Sequence, residues 1–181
     1  LGADPINATA SGRTGAIDPL LVAFSDQENA AEWEPLSTNT AGSLRCSAGS
    51  QIIGGLRARQ ETLIWTDVAL YSLQFIGAPL TFGLTLINEG ISLIGPNAPV
   101  NTPTGIFWMD KKGFYAYQGS VQPIPCSVHS YVFDDLNEGQ AFQVFGFLNK
   151  QFNEVGWFYC SGSSETIDRY VTYNYVDQTW A

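Results

Sequence analysis

The chain has 181 residues, of which 45% are hydrophobic, 13% aromatic and 14% charged, enough length and apolar content to bury a core. Eight Lys and Arg against 17 Asp and Glu give a net charge of −9, which argues against sequence-specific DNA or RNA binding, because a protein that grips phosphates carries the opposite footprint. Gly, Asn, Asp or Pro interrupts every apolar run before it reaches the roughly 18 to 20 residues of a membrane-crossing helix, so no membrane partner is expected.

Residues 1–19 mix Gly, Ala, Asp, Pro, Asn, Ser and Thr without a period and read as an extended N-terminal arm. A β-rich domain is expected over 20–181. It begins with the strand-like run Leu20 to Phe24 and a polar stretch reaching Gly42, in which Ser25 and Glu28 have the spacing of a capping box and predict a short helix over 26–32. Strand-like segments then follow at Gln51 to Arg59, Glu61 to Thr66, Ala69 to Ile76 and Leu80 to Ile87, separated by hairpin-length turns. A second set runs Gly105 to Met109, Gly113 to Tyr117 and Val121 to Ile124. A third runs Ala141 to Leu148, Phe152 to Cys160 and Arg169 to Val176. Between the second and third sets, Val128, Tyr131, Val132 and Leu136 predict one short helix face within 127–136.

The three sets resemble one another. Each has a strand carrying Trp, a polar turn, and a strand with alternating aromatics, and Trp65, Trp108 and Trp157 lie 43 and 49 residues apart. That interval matches the roughly 40 to 50 residues of a propeller blade, a four-stranded antiparallel meander that buries both faces. The predicted fold is therefore all-β, with meanders resembling blades of a β-propeller and short connecting helices; a sandwich is the alternative. Two or three blades do not close a ring, and the chain reads as a piece of a longer one. The predicted core is Leu63, Trp65, Leu70, Leu73, Phe107, Trp108, Tyr115, Phe145, Trp157 and Tyr173. The arm from Gly2 to Pro19 and the Pro-rich loop from Asn97 to Thr104 are expected to lie against neighbouring segments or subunits.

Chemistry is sparse in the sequence. Cys46, Cys126 and Cys160 are odd in number, with spacings of 80 and 34 that spell neither a disulfide framework nor a zinc ribbon, and they read as buried thiols. His129, the single histidine, falls in the second predicted helix as a partly exposed residue. There is no Gly-x-Ser-x-Gly elbow, no phosphate-binding glycine loop and no calcium loop. The acids Asp134 with Asp135, Glu28 with Glu32 and Glu34, and Glu154 with Asp168 are the candidate pairs for glycosidase chemistry and read as solvated side chains. Trp65, Trp108, Trp157, Tyr117 and Tyr173 would suit a sugar-binding surface but are more economically core. Asp67 and Asp110 read as turn residues, and Asp168-Arg169 as an ion pair tying a turn. No catalytic, cofactor-binding or metal residue is assigned, and no cofactor is expected.

Several strings carry a family likeness: Phe24-Ser25-Asp26-Gln27-Glu28-Asn29, Asn39-Thr40-Ala41-Gly42, Arg59 through Asp67 with Leu70 through Gly77, Phe114 through Gly119, Phe152 through Tyr159, and Asp168-Arg169-Tyr170-Val171. Over residues 20 to 178 the chain resembles virion structural proteins of tailed bacteriophages, the tail nozzle or tail hub proteins of short-tailed phages. Phe24 and Gly156 stand where that pattern has Trp, a departure that bears on packing. The resemblance implies a β-propeller with appended β domains, no enzymatic activity, and a homo-oligomeric ring around the DNA exit channel. The implied partners are copies of itself, a tail adaptor, tail fibre or needle proteins, and genomic DNA that passes without sequence-specific binding. An acidic channel wall fits such passage, because it repels phosphates and keeps the duplex mobile. The alternative reading is a secreted or surface carbohydrate-binding β domain.

Overall fold

Residues 18–181 are described by the structure, a computed structural model, and the expected arm at 1–19 lies almost wholly outside them. Strand-forming segments rich in β-branched and aromatic residues pair with their sequence neighbours throughout, giving only antiparallel sheets. The all-β expectation holds: among the described residues 14 strands form four sheets, with a five-residue helix and one 3-10 segment between them. The chain divides into two compact units, Leu1–Gly90 and Ile91–Ala181.

In the first unit, β1 (Leu21–Phe24) and β2 (Gly42–Arg45) form a two-stranded hairpin, and β3 (Ile52–Arg57), β4 (Glu61–Thr66), β5 (Ala69–Gly77) and β6 (Thr81–Glu89) form a meander. Opposite Tyr71 lies Ile64, and opposite Leu70 lies Trp65, so the pleat sends Ile64, Ala69 and Tyr71 to one face and Leu63, Trp65 and Leu70 to the other. The first face packs on Leu20, Val22 and Cys46 at the hairpin, and the second is also fully buried. The helix expected over 26–32 is absent. Asp26 instead spans the loop, accepting hydrogen bonds from the Thr40 amide at 2.8 Å and the Thr40 hydroxyl at 2.7 Å, which uses the carboxylate for loop closure instead of a helix cap.

The second unit holds two meanders. The first comprises β7 (Val100–Asn101), β8 (Ile106–Met109), β9 (Phe114–Tyr117) and β10 (Val121–Ile124), and the other β11 (Phe145–Asn149), β12 (Glu154–Tyr159), β13 (Arg169–Asn174) and β14 (Thr179–Trp180). Helix α1 (His129–Phe133) is shorter than its predicted span, and a 3-10 segment at Glu138–Gln143 replaces the expected start of the third strand set. The two meanders meet through rings: Phe114 lies 4.9 Å from Trp157 and 4.5 Å from Trp180, and Phe107 lies 6.2 Å from Tyr173. Their leading segments run side by side, with a parallel bridge between Asn97 and Phe145 and a 2.8 Å hydrogen bond from the Gly146 amide to the Asn97 carbonyl.

The Pro-rich loop lies against a neighbouring segment of the same chain, as one of its two expected placements: Ala98, Val100 and Thr102 are buried, and the Trp157 indole donates to the Ala98 carbonyl at 2.8 Å. One core expectation changes. Phe145 is not core: it is 49% exposed, because strand alternation puts Gly146 on the packed face and Phe145 on the outer one. Leu73 and Tyr115 are only half-buried, while the other seven predicted core residues are buried. Phe147 covers Gly156, where a Cβ would collide with its ring and come within 2.9 Å of the Val171 carbonyl, so this close approach calls for glycine at 156.

Candidate functional site

The candidate acids are dispersed. Glu154 opens β12 opposite Asn174 and accepts from the Asn149 side-chain amide at 3.3 Å, whereas Asp168 lies beyond the Tyr159–Arg169 pair at the far end of the same ladder. The five-residue separation along β12 amounts to roughly 17 Å, too far for paired carboxylate chemistry. Asp134 caps α1, and Asp135 sits 3.6 Å from the Arg169 guanidinium, which also donates to the Tyr131 hydroxyl. Arg169 therefore ties α1 to β13; the expected Asp168-Arg169 turn pair is not the contact observed. Glu28, Glu32 and Glu34 lie in the β1–β2 loop, where a Glu32 oxygen accepts from the Glu34 amide at 3.1 Å. His129 is exposed, its Nε2 3.0 Å from the Lys112 carbonyl oxygen and its ring 4.6 Å from Phe133. Among the described residues no group of three His, Cys, Asp or Glu side chains could hold a metal ion.

The aromatic candidates divide by burial. Trp65, Trp108, Trp157 and Tyr173 are inside, and Tyr117 is half-buried, so these rings do not form an open sugar platform. An aromatic row does lie on the outer face of the last meander, where Phe145, Phe158 and Tyr170 are directly opposed across β11, β12 and β13. Phe158 is 4.8 Å from Phe147 and 6.0 Å from Tyr170. Sequence reasoning missed this row because its rings alternate with buried residues, and only the register decides which alternate faces water.

A second pattern went unseen in the sequence. Asp67 accepts from the Ser50 amide and the Ser50 hydroxyl, both at 2.7 Å, Asp110 accepts from the Ser92 hydroxyl, and Asp168 accepts from the Ser161 amide at 2.8 Å and the Ser161 hydroxyl at 2.6 Å. In the first two clasps the Asp follows the meander's Trp by two residues and the Ser precedes it by 17 and 18 residues. The Ser161 hydrogen bonds hold the Asp168 carboxyl below the usual aspartate range. Partial burial works to raise Asp67, but the Ser50 hydroxyl and the Ser50 and Gln51 amides outweigh it and leave this carboxyl lowered as well. The first two clasps fasten the segment entering a meander to the end of a strand within it, and the third closes the connection between β12 and β13.

The cysteines are free thiols; Cys46 and Cys160 are buried and Cys126 is half-buried. Burial pushes the Cys46 thiol up to about 11, which leaves it protonated and a poor nucleophile at neutral pH. Cys126 lies beside a cavity of about 460 Å³ lined by Pro125, Ser127, Gln178, Thr179 and Trp180, and burial raises its thiol too. No protein-family model matches the sequence, and no curated protein matches it significantly.

Proposed function

We propose that this chain is a structural component of a bacteriophage tail, of the nozzle or hub type, whose meanders are blades of a β-propeller arranged in a homo-oligomeric ring around the DNA exit channel. The observation that carries the reading is the series of three consecutive four-stranded meanders, each with a fully buried tryptophan on its second strand. The side-by-side leading segments of the two meanders in the second unit support it further, since neighbouring blades meet in this way. The resemblance of the quoted strings to those of tail proteins is the sequence's own contribution to this reading. In this role the residues act by packing: the tryptophans and Ser–Asp clasps make a stiff scaffold, and the net charge of −9 disfavours phosphate adhesion. A tail adaptor on one side, fibre or needle proteins on the other, and passing genomic DNA are the corresponding partners. Electron microscopy of purified virions labelled through this protein tests the proposal. Label at the tail is expected; label on the capsid shell, or a virion without the protein, overturns it.

The row of exposed Phe145, half-buried Phe158 and exposed Tyr170 favours one second reading, a carbohydrate-binding β domain, because sugar rings stack on exposed aromatic faces. Binding on a glycan array that is lost in Tyr170→Ala would support it, and a blank array would remove it.

A further inference from the structure

The β5–β6 hairpin of the first unit ends in an apolar tip, where Phe75, Ile76 and Leu80 are 65%, 53% and 67% exposed, and it leaves one long sheet edge open. β6 is the last strand in the order β3-β4-β5-β6, and among the described residues no strand pairs with its outer side. Residues 83–86 make no backbone hydrogen bond outside the β5–β6 ladder among the described residues; the nearest runs from the Phe82 amide back to the Leu80 carbonyl at 2.7 Å. An edge strand presents a row of unpaired N–H and C=O groups, a template for a further strand, and folds guard such edges with charge, proline, brevity or an irregular ladder.

The other outer strands are guarded. β3 shifts register between Ile52 and Gly54, and its Ile52 amide donates to the Pro19 carbonyl at 2.9 Å. β10 contains Pro123, β11 is held at its start by Asn97, β7 and β14 have two residues each, and β1 and β2 have four. β6 has nine residues and no proline, and residues 68–88 carry no charge, so its one charged side chain is the terminal Glu89. Its ladder runs without a register shift from Phe82 to Leu86. Over that span the sequence is symmetric about Leu84: large apolar residues stand at Phe82, Leu84 and Leu86, and the small Gly83 and Thr85 lie between them.

We infer that the β6 edges of two copies of the chain pair antiparallel about a two-fold axis at Leu84, joining two four-stranded meanders into one eight-stranded sheet. In this register Phe82 of each copy lies opposite Leu86 of the other, Gly83 opposite Thr85, and the two Leu84 residues opposite each other. The pleat then runs on across the junction, so that Phe75 and Phe82 of one copy continue into Leu86 and Tyr71 of the other, and the 39% exposed Leu86 gains an aromatic neighbour. A foreign strand would have to carry the same symmetric pattern, which a second copy brings by necessity. Each copy offers one such edge, so the pairing closes at two. The acidic β1–β2 loop, with Asp26, Glu28, Glu32 and Glu34, adjoins the hairpin through Phe24, 4.9 Å from Phe82, and through the Thr81 hydroxyl, which donates to the Thr40 carbonyl at 3.4 Å. Like charge on the two copies opposes their approach, so salt should tighten the pair. The pairing goes beyond the tail reading and stands or falls separately from where the protein sits in a virion.

Sedimentation velocity of the full chain over a concentration series, combined with amide hydrogen exchange, tests it. A dimer is expected, at least as tight at about 500 mM salt as at about 50 mM, because backbone pairing is not screened and the repulsion is. Exchange at residues 83–86 should slow as the dimer forms. Thr85→Lys/Leu86→Lys places two charges on the edge and should be folded by circular dichroism, with dimer affinity at least about tenfold weaker. Thr85→Lys alone, at an exposed position, should show the same direction and keeps the test open should the double variant fail to fold. A wild type that stays monomeric throughout the series, a dimer whose new exchange protection lies away from residues 83–86, or a folded Thr85→Lys variant that dimerises as wild type does overturns the inference.

Discussion

The first unit covers a meander with a two-stranded hairpin, through Leu20, Val22, Cys46, Ile64, Ala69 and Tyr71, whereas the second covers one meander with another, through Phe107, Phe114, Trp157, Tyr173 and Trp180. Similar strands with a Trp at a repeated position are therefore finished in two ways. A largely aliphatic contact needs area alone, while ring against ring also imposes mutual orientation, so the second unit should be the less tolerant of substitution.

The largest effect should come from Trp108→Ala. This indole is fully buried, stacks on Tyr115 at 5.7 Å and donates to the Ser92 carbonyl at 3.2 Å, so the change should destabilise by about 3 to 5 kcal/mol. Chemical denaturation checks this, and an unchanged midpoint would remove the repeat alignment on which the comparison of units rests. Next comes Gly146→Ala. Its Cβ would strike Val100 and stand 2.6 Å from the Ala98 backbone carbonyl, which cannot swing aside, and about 1 to 3 kcal/mol of destabilisation is expected. Gly83→Ala in the first unit meets only the flexible Ile76 side chain at 3.3 Å and should be milder in the same assay.

Two of the buried tyrosines, Tyr71 and Tyr159, sharpen the contrast further. Tyr71 accepts a 2.7 Å hydrogen bond from the Ala48 amide and shares another with Ser47, so Tyr71→Phe should destabilise by about 1 kcal/mol.

Acid titration separates the units by their carboxylates. Hydrogen bonds from Thr40 lower Asp26, and Asp67 is lowered by Ser50 and Gln51 despite partial burial, both in the first unit; Ser161 lowers Asp168 in the second. A folded value depressed below the ordinary 3.8 means that the folded state binds fewer protons, so this stabilisation is complete above 3.8 and is lost as pH falls through the lowered folded values. Amide exchange below pH 4 should therefore rise first in the β1–β2 loop and around residues 50–51, and Asp26→Asn should flatten that dependence. Equal acid response in the two units would erase the distinction. The smallest effect is expected at Tyr159. Its hydroxyl is fully buried without a hydrogen-bond partner among the described residues, so Tyr159→Phe should leave stability unchanged or slightly raised, and a loss like that of Tyr71→Phe would show a partner for it.

Strand content was legible because alternating aromatic and β-branched residues between Gly, Pro and Asp turns have few other ways to bury their surface. The repeated Trp positions were legible for the same reason, and Trp65, Trp108 and Trp157 are all fully buried. Tertiary structure alone decided which member of each alternation faces water. Phe145 and Gly146 are adjacent in the chain, and only the contact of Gly146 with Ala98 sends Phe145 outward. It likewise decided the partners of the polar side chains. Ser50 with Asp67, Ser92 with Asp110 and Arg169 with Asp135 join residues 17, 18 and 34 apart, separations at which a hydrogen bond leaves no local signature because its geometry comes from the strands that carry its ends. The hairpin tip and the acidic loop are both readable as composition. Their standing side by side follows from the packing of Phe24 on Phe82, a contact between residues that belong to different sheets.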